Sequence, residues 1–144
     1  MTGKTHLGGG LLASLILCDS LTSGMLLSFG SVLPDIDHGG SMIGKTIPFV
    51  SKMFRHRGFT HSLLFAGLMW LLNEWVAYGV MVHIFLDLMT KGGVSLLWPV
   101  NAKMHFPLAG FVRTGGRFET IVFCLIYLCI IFVVVNKFIF KVIL

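Results

Sequence analysis

The chain has 144 residues, 56% of them hydrophobic and 12% charged, with a mean hydropathy of +0.89. Soluble domains carry about a quarter charged residues, so this balance excludes an ordinary soluble domain and points to one membrane-embedded domain spanning residues 1–144. The net charge of +5, from 11 Lys and Arg against 6 Asp and Glu, does not require a nucleic-acid partner. In a membrane chain such residues mark the cytoplasmic side or hold anionic headgroups.

Five apolar helices are predicted in chain order. The first covers about Leu7–Cys18 and the second about Leu21–Leu33, with Asp19-Ser20 between them. No small-residue cleavage site closes the first run, so it is expected to belong to the mature protein. The third covers about Ser62–Leu72 and the fourth about Trp75–Met89, with Asn73-Glu74 between. A basic, Gly-rich loop, Lys91–Phe118, leads to a fifth helix at Thr120–Val135 with a tail to Leu144. Cys18, Cys124 and Cys129 lie inside apolar runs without C-x-x-C spacing and read as buried hydrophobes.

A spanning helix needs about 20 apolar residues, and the first four runs are shorter. Each pair could be one tilted helix or one helical hairpin. As single helices they would separate His61 from Asp87 by about 40 Å at 1.5 Å per residue. As hairpins they bring His6, Asp35, Asp37, His61, His83 and Asp87 to one membrane edge. Intramembrane charges are costly unless paired or metal-bound, so the hairpin reading is favoured. It puts Lys4, Lys45, Lys52, Arg55, Arg57, Lys91, Lys103, Arg113 and Arg117 on the site side and Lys137 and Lys141 on the other. By the positive-inside tendency the site then faces the cytoplasm.

Three motifs carry the chemistry. In Leu33-Pro34-Asp35-Ile36-Asp37-His38, proline stops a helix and an extended segment would aim both carboxylates one way. Carboxylates with imidazole suit Zn²⁺, Mn²⁺ or Mg²⁺, although a solvated Asp-rich turn has the same composition. In Arg55-His56-Arg57-Gly58-Phe59-Thr60-His61-Ser62, Thr60 is a candidate helix N-cap with His61 in the first turn, where free N–H groups and Arg57 could receive phosphate. The alternative is a basic loop against lipid headgroups. His83 and Asp87, at i and i+4, share one helix face and could hold a metal or only each other. Seven candidates in three converging sets favour metal: two ions sharing a carboxylate, or one ion with acid–base and supporting partners. Arg113-Thr114-Gly115-Gly116-Arg117-Phe118-Glu119 could bring backbone and Arg113 to a phosphate, or be a capped turn near an interfacial Trp98. His105 lacks supporting spacing and reads as interfacial.

Thr5-His6, Leu33-Pro34-Asp35-Ile36-Asp37-His38, His56-Arg57-Gly58-Phe59-Thr60-His61-Ser62, His83-x3-Asp87 and Leu97-Trp98-Pro99 together resemble the YdjM-type membrane-bound metal-dependent hydrolases of bacteria and archaea. The resemblance covers roughly residues 1–119, leaving the C-terminal helix at 120–144 outside it. It implies a multi-helix inner-membrane protein with hydrolase activity, and is accompanied by a distant likeness to zinc-dependent phospholipase C.

The expectation is therefore an all-α membrane bundle of two helical hairpins plus a C-terminal transmembrane helix. Asp35, Asp37, His61, His83 and Asp87 are the expected metal ligands. His6 and His56 would be further ligands or general acid–base groups, and Arg57 and Arg113 would steady phosphate. One or two divalent ions, zinc first with manganese or magnesium as alternatives, would serve hydrolysis of a phosphoester in a phospholipid or lipid-linked molecule. Two rivals are an ion-coupled carrier using intramembrane His and Asp, and a regulatory protein whose metal only ties the hairpins together. The residues leave the oligomeric state open.

Overall fold

A computed structural model describes residues 1–41, 43–46, 49, 56–107 and 112–143, with side chains through 139. Lys52, Arg55 and the Lys141 side chain lie outside the described residues. The described chain is all-helical. Its α-helices are α1 (Gly3–Leu17), α2 (Leu21–Gly30), α3 (Leu63–Leu72), α4 (Glu74–Leu88) and α5 (Arg117–Ile143), with 3₁₀ turns at Leu33–Asp37 and Phe59–His61.

Short polar caps make the first four helices fold back in pairs. Ser20 Oγ accepts the Ser23 N–H at 3.1 Å and starts α2. Asn73 Oδ1 accepts from Trp75 N–H at 3.0 Å and Val76 N–H at 3.2 Å and starts α4. These bonds satisfy first-turn donors that would otherwise be orphaned at a chain reversal. Helix α1 then packs on α2, and α3 on α4.

The two pairs join through α2 and α4, where glycine permits backbone contact. A Cβ at Gly79 would lie 2.1 Å from the Leu27 carbonyl oxygen, and one at Gly30 would lie 2.2 Å from that of Val76. No larger residue fits without separating the helices. Helix α1 also packs on α4 and on α5, so it lies between them.

The 15-residue α1 and α4 rise about 22 Å, and the 10-residue α2 and α3 about 15 Å, against a hydrocarbon core of about 30 Å. Among the described residues only Arg117–Ile139 of α5, 23 residues at mean hydropathy 2.8, is long and apolar enough to cross a membrane. Lys137 near its end donates to the Leu15 carbonyl at 2.6 Å, at the end of α1 away from His6.

Burial is inverted relative to a soluble core. His6, His61, His83, Asp87, Thr5, Ser31 and Thr90 are at most 1% exposed, whereas Leu21, Leu71 and Leu72 are 77–81% exposed. A small apolar cluster of Ala66, Val80, Ile84 and Val94 packs between α3, α4 and the loop after α4. In water, each large exposed apolar side chain would forgo about 1.5–3 kcal/mol of burial. An apolar solvent around the helices removes that cost and raises the cost of leaving polar groups outside.

Candidate metal centre

Each motif reaches the centre from a different element. His6 lies at the end of the first turn of α1, and His83 and Asp87 lie one turn apart on one face of α4. The Asp-rich motif departs from its sequence expectation. Helix α2 ends at Gly30, before Pro34, and Leu33–Asp37 winds as a 3₁₀ turn rather than an extended segment. At three residues per turn, positions i and i+2 point apart. Asp35 Oδ1 accordingly lies 3.8 Å from His83 Nε2, while Asp37 turns to His56 and His61.

The Thr60 expectation is also corrected. Ser62 is the N-cap of α3, its Oγ accepting from Phe65 N–H at 3.2 Å, and the Leu63 N–H donates to Leu96 O at 3.0 Å. Two first-turn donors expected to meet phosphate are thus taken. The Thr60 hydroxyl instead donates to Asp37 Oδ2 at 2.5 Å. His61 sits just before the helix, in the Phe59–His61 turn, and is fully buried.

Hydrogen bonds to the inner ring nitrogens fix where the imidazole lone pairs point. His83 Nδ1 stands 2.8 Å from the Ser31 carbonyl, which can only accept, so Nδ1 carries the proton. His61 Nδ1 stands 3.0 Å from Thr60 Oγ1, whose own hydrogen goes to Asp37, so that nitrogen also donates. In the neutral rings both Nε2 atoms then present lone pairs, and they face each other at 3.1 Å. Only a shared proton or a cation reconciles that approach. His6 stacks on His83 with centroids 3.6 Å apart, and neither of its buried nitrogens makes a hydrogen bond among the described residues. Its Nε2 lies 3.3 Å from Asp87 Oδ1, and His61 Nε2 lies 3.7 Å from Asp87 Oδ2.

These separations suit a metal. Bonds of about 2.0–2.1 Å at tetrahedral angles give ligand–ligand edges of about 3.3 Å. Three overlapping groups could hold an ion: His6, His83 and Asp87; Asp35, His61 and His83; and Asp37, His56 and His61. All seven sequence candidates are in them, including His6 and His56.

Asp37 is crowded with donors. Oδ2 accepts from Thr60 and, at 3.1 Å, from Arg57 N–H, and lies 3.3 Å from His61 Nδ1; Oδ1 is 2.8 Å from His56 Nδ1. Burial by itself raises this carboxyl, but the bonds from His56, His61 and Thr60 outweigh it and hold it well below the usual carboxylate range. Arg57, at φ 62, takes a left-handed conformation rare for a side-chain-bearing residue. Its Nε lies 3.2 Å from Asp87 Oδ2, and its Nη2 donates to Thr114 Oγ1 at 3.4 Å. The Met1 amino group also contacts Asp87.

Arg57 therefore lies on the cluster, whereas Arg113 is exposed on the neighbouring loop beside Thr114. His38 is exposed and stacks on His56 at 4.6 Å, and His105 is exposed. Trp98, 38% exposed, meets Phe59 edge to face at 5.1 Å. Sequence reasoning missed the Ser31 carbonyl and the Thr60 hydroxyl as the groups that orient His83 and His61. A main-chain acceptor leaves no sequence signal, but Thr60 beside His61 was legible as a candidate partner.

The family described as YdjM inner membrane protein matches residues 1–140. The chain belongs to that family. The resemblance read from the motifs is thereby borne out, and the match extends beyond them onto α5. Uncharacterized protein YvsG of Bacillus subtilis (strain 168) is 33% identical over 141 residues, covering 85% of this chain and 87% of that protein. Inner membrane protein YdjM of Escherichia coli (strain K12), like that of Shigella flexneri, is 38% identical over 96 residues, 54% of this chain and 49% of that protein. The match thus spans about half the length of those two relatives. No solved structure matches. The family description places its members in the inner membrane, and the composition agrees on a membrane protein.

Proposed function

We propose that this protein is a metal-dependent hydrolase, with its helical hairpins set in the cytoplasmic leaflet, acting on a phosphoester of a phospholipid or lipid-linked molecule. The observation that carries the reading is the 3.1 Å approach of His61 Nε2 and His83 Nε2, whose Nδ1 atoms are both engaged elsewhere, beside Asp87 and His6. A buried network of neutral rings would pair donors with acceptors, so this approach calls for a positive charge, a proton or a metal ion, between the two nitrogens.

His6, His61, His83 and Asp87, with Asp35 alongside, would hold one divalent ion, zinc in the first instance. His83 has a single nitrogen to offer because Ser31 occupies the other, so the two groups that share it serve one ion. Asp37, read from the sequence as a ligand, belongs to the third group that could hold an ion; its donors also suit it to orient His61, as carboxylates orient metal-bound histidines elsewhere, and that is the role assigned to it. A bound divalent ion supplies Lewis acidity, lowering the pKa of water and polarising a phosphoryl oxygen. His56, 38% exposed at its side chain and held by Asp37 through Nδ1, turns its other nitrogen outward as general acid or base. Arg57 neutralises Asp87 and offers its outer nitrogens to an anionic group, and Arg113 adds charge at the rim.

Clustering at one end of the helices supports hydrolysis over stepwise ion transfer, which needs polar groups distributed along the path. The excess of Lys and Arg around the site supports a cytoplasmic orientation, and the length of α5 supports its crossing the bilayer. The test is elemental analysis of detergent-purified protein beside His83→Ala and Asp35→Ala, followed by a lipid-phosphate release assay. Stoichiometric metal lost in both variants, with release by wild type only, is expected. Folded wild type that takes up no divalent ion on reconstitution refutes the reading.

A further inference from the structure

Glu119 is a charged group for which the proposed chemistry has no use. It stands in the first turn of α5, only 3% exposed. A helix dipole favours an acid there, but an exposed one would serve equally. This one is enclosed and takes three donors: Oε1 accepts from Thr2 N–H at 2.5 Å and from the Thr5 hydroxyl at 2.8 Å, and Oε2 accepts from Gly115 N–H at 2.6 Å.

Its two oxygens hold two different segments, and both lead to the same place. Thr5 precedes His6 on α1, and His6 Nε2 lies 3.3 Å from Asp87 Oδ1. Gly115, at φ 75 in a conformation that favours glycine, follows Thr114, which accepts from Arg57; Arg57 Nε lies 3.2 Å from Asp87 Oδ2. We infer that Glu119 is a positioning residue for the metal centre, holding His6 and Arg57 against opposite oxygens of Asp87. The inference rests on the metal-centre reading. Glu119 makes no contact with the proposed ion and acts only through these two arms.

The test uses Glu119→Gln and Thr5→Val in detergent-purified full-length protein. An amide nitrogen cannot accept, so Gln releases one arm, whereas Val removes only the hydroxyl of the α1 arm at nearly constant volume. Co²⁺ affinity, read from its d–d absorbance, should fall 10–100-fold in each variant, the range for groups that orient metal ligands. In a His6→Ala background, Thr5→Val should change that affinity less than twofold. A second readout needs no metal: long-range ¹H–¹⁵N NMR of the histidine rings should show the His6 signals lose the shift caused by stacking on His83. Unchanged Co²⁺ affinity and unchanged His6 signals, with only the melting temperature lowered, would overturn the inference and leave Glu119 a structural tie. Should wild type bind no Co²⁺, the metal reading fails, and the His6 signals still decide whether Glu119 positions that ring. If Glu119→Gln does not fold, Thr5→Val carries both measurements.

Discussion

Asp37→Asn separates an orienting carboxylate from a metal ligand. Two donors, Thr60 and Arg57 N–H, converge on Oδ2, and His56 Nδ1 meets Oδ1. An amide nitrogen in the Oδ2 place would oppose two donors, so it should take the Oδ1 place and oppose one. His56 must then accept at Nδ1, which moves its proton to the outward nitrogen and removes the lone pair available there. No bond is lost in number, but each loses its charged acceptor, at a cost of about 1–3 kcal/mol in total. Metal should stay bound with about 10–100-fold lower affinity, because His61 keeps a weaker partner. Turnover should fall by about 10²–10⁴, the range for losing general acid–base assistance. Thermal unfolding in detergent, Co²⁺ titration and phosphate release measure the three effects separately. Complete loss of metal from a folded Asp37→Asn variant would refute this reasoning and make Asp37 a ligand.

Other outcomes follow from the same contacts. The Asp37 carboxyl is held below the ordinary value of about 3.9, so its contribution to stability is full above that pH and fades as pH falls toward the lower folded value. The stability gap between wild type and Asp37→Asn should therefore shrink on acidification below about pH 4, and a gap that widens there contradicts the assignment. Gly79→Ala would drive a methyl group toward the Leu27 carbonyl, 2.1 Å away, and should destabilise by about 1–3 kcal/mol while weakening metal binding at His83 one turn on; unchanged unfolding would show that α2 and α4 do not meet so closely. Removing metal with a chelator should lower the melting temperature, and Zn²⁺ at 1,000 times its Kd should restore about 4 kcal/mol. A melting temperature indifferent to chelator and Zn²⁺ would mean that no ion ties α1, α4 and the Phe59–His61 turn together.

Much of this protein was legible from residue order alone. Composition established the membrane setting, because 12% charge cannot coat a soluble surface of this size. Apolar run lengths, interrupted by Asp19-Ser20 and Asn73-Glu74, located five helices to within a few residues, because polar caps and chain reversals are local events. The seven His and Asp candidates were legible for a related reason: ionisable groups beside apolar helices are too costly to leave unpartnered. Their roles were not legible. Whether a histidine offers Nε2 or Nδ1 depends on its partner across space, here the Ser31 carbonyl, 52 positions from His83, and Thr60 beside His61. The direction of Asp37 depended on a 3₁₀ turn replacing an extended segment. The bond that ties Thr5, beside His6, to Glu119 spans 114 positions. Tertiary packing decided these matters because a hydrogen bond selects a tautomer or a rotamer only when its partner arrives, and these partners arrive when the two hairpins close on each other and on α5.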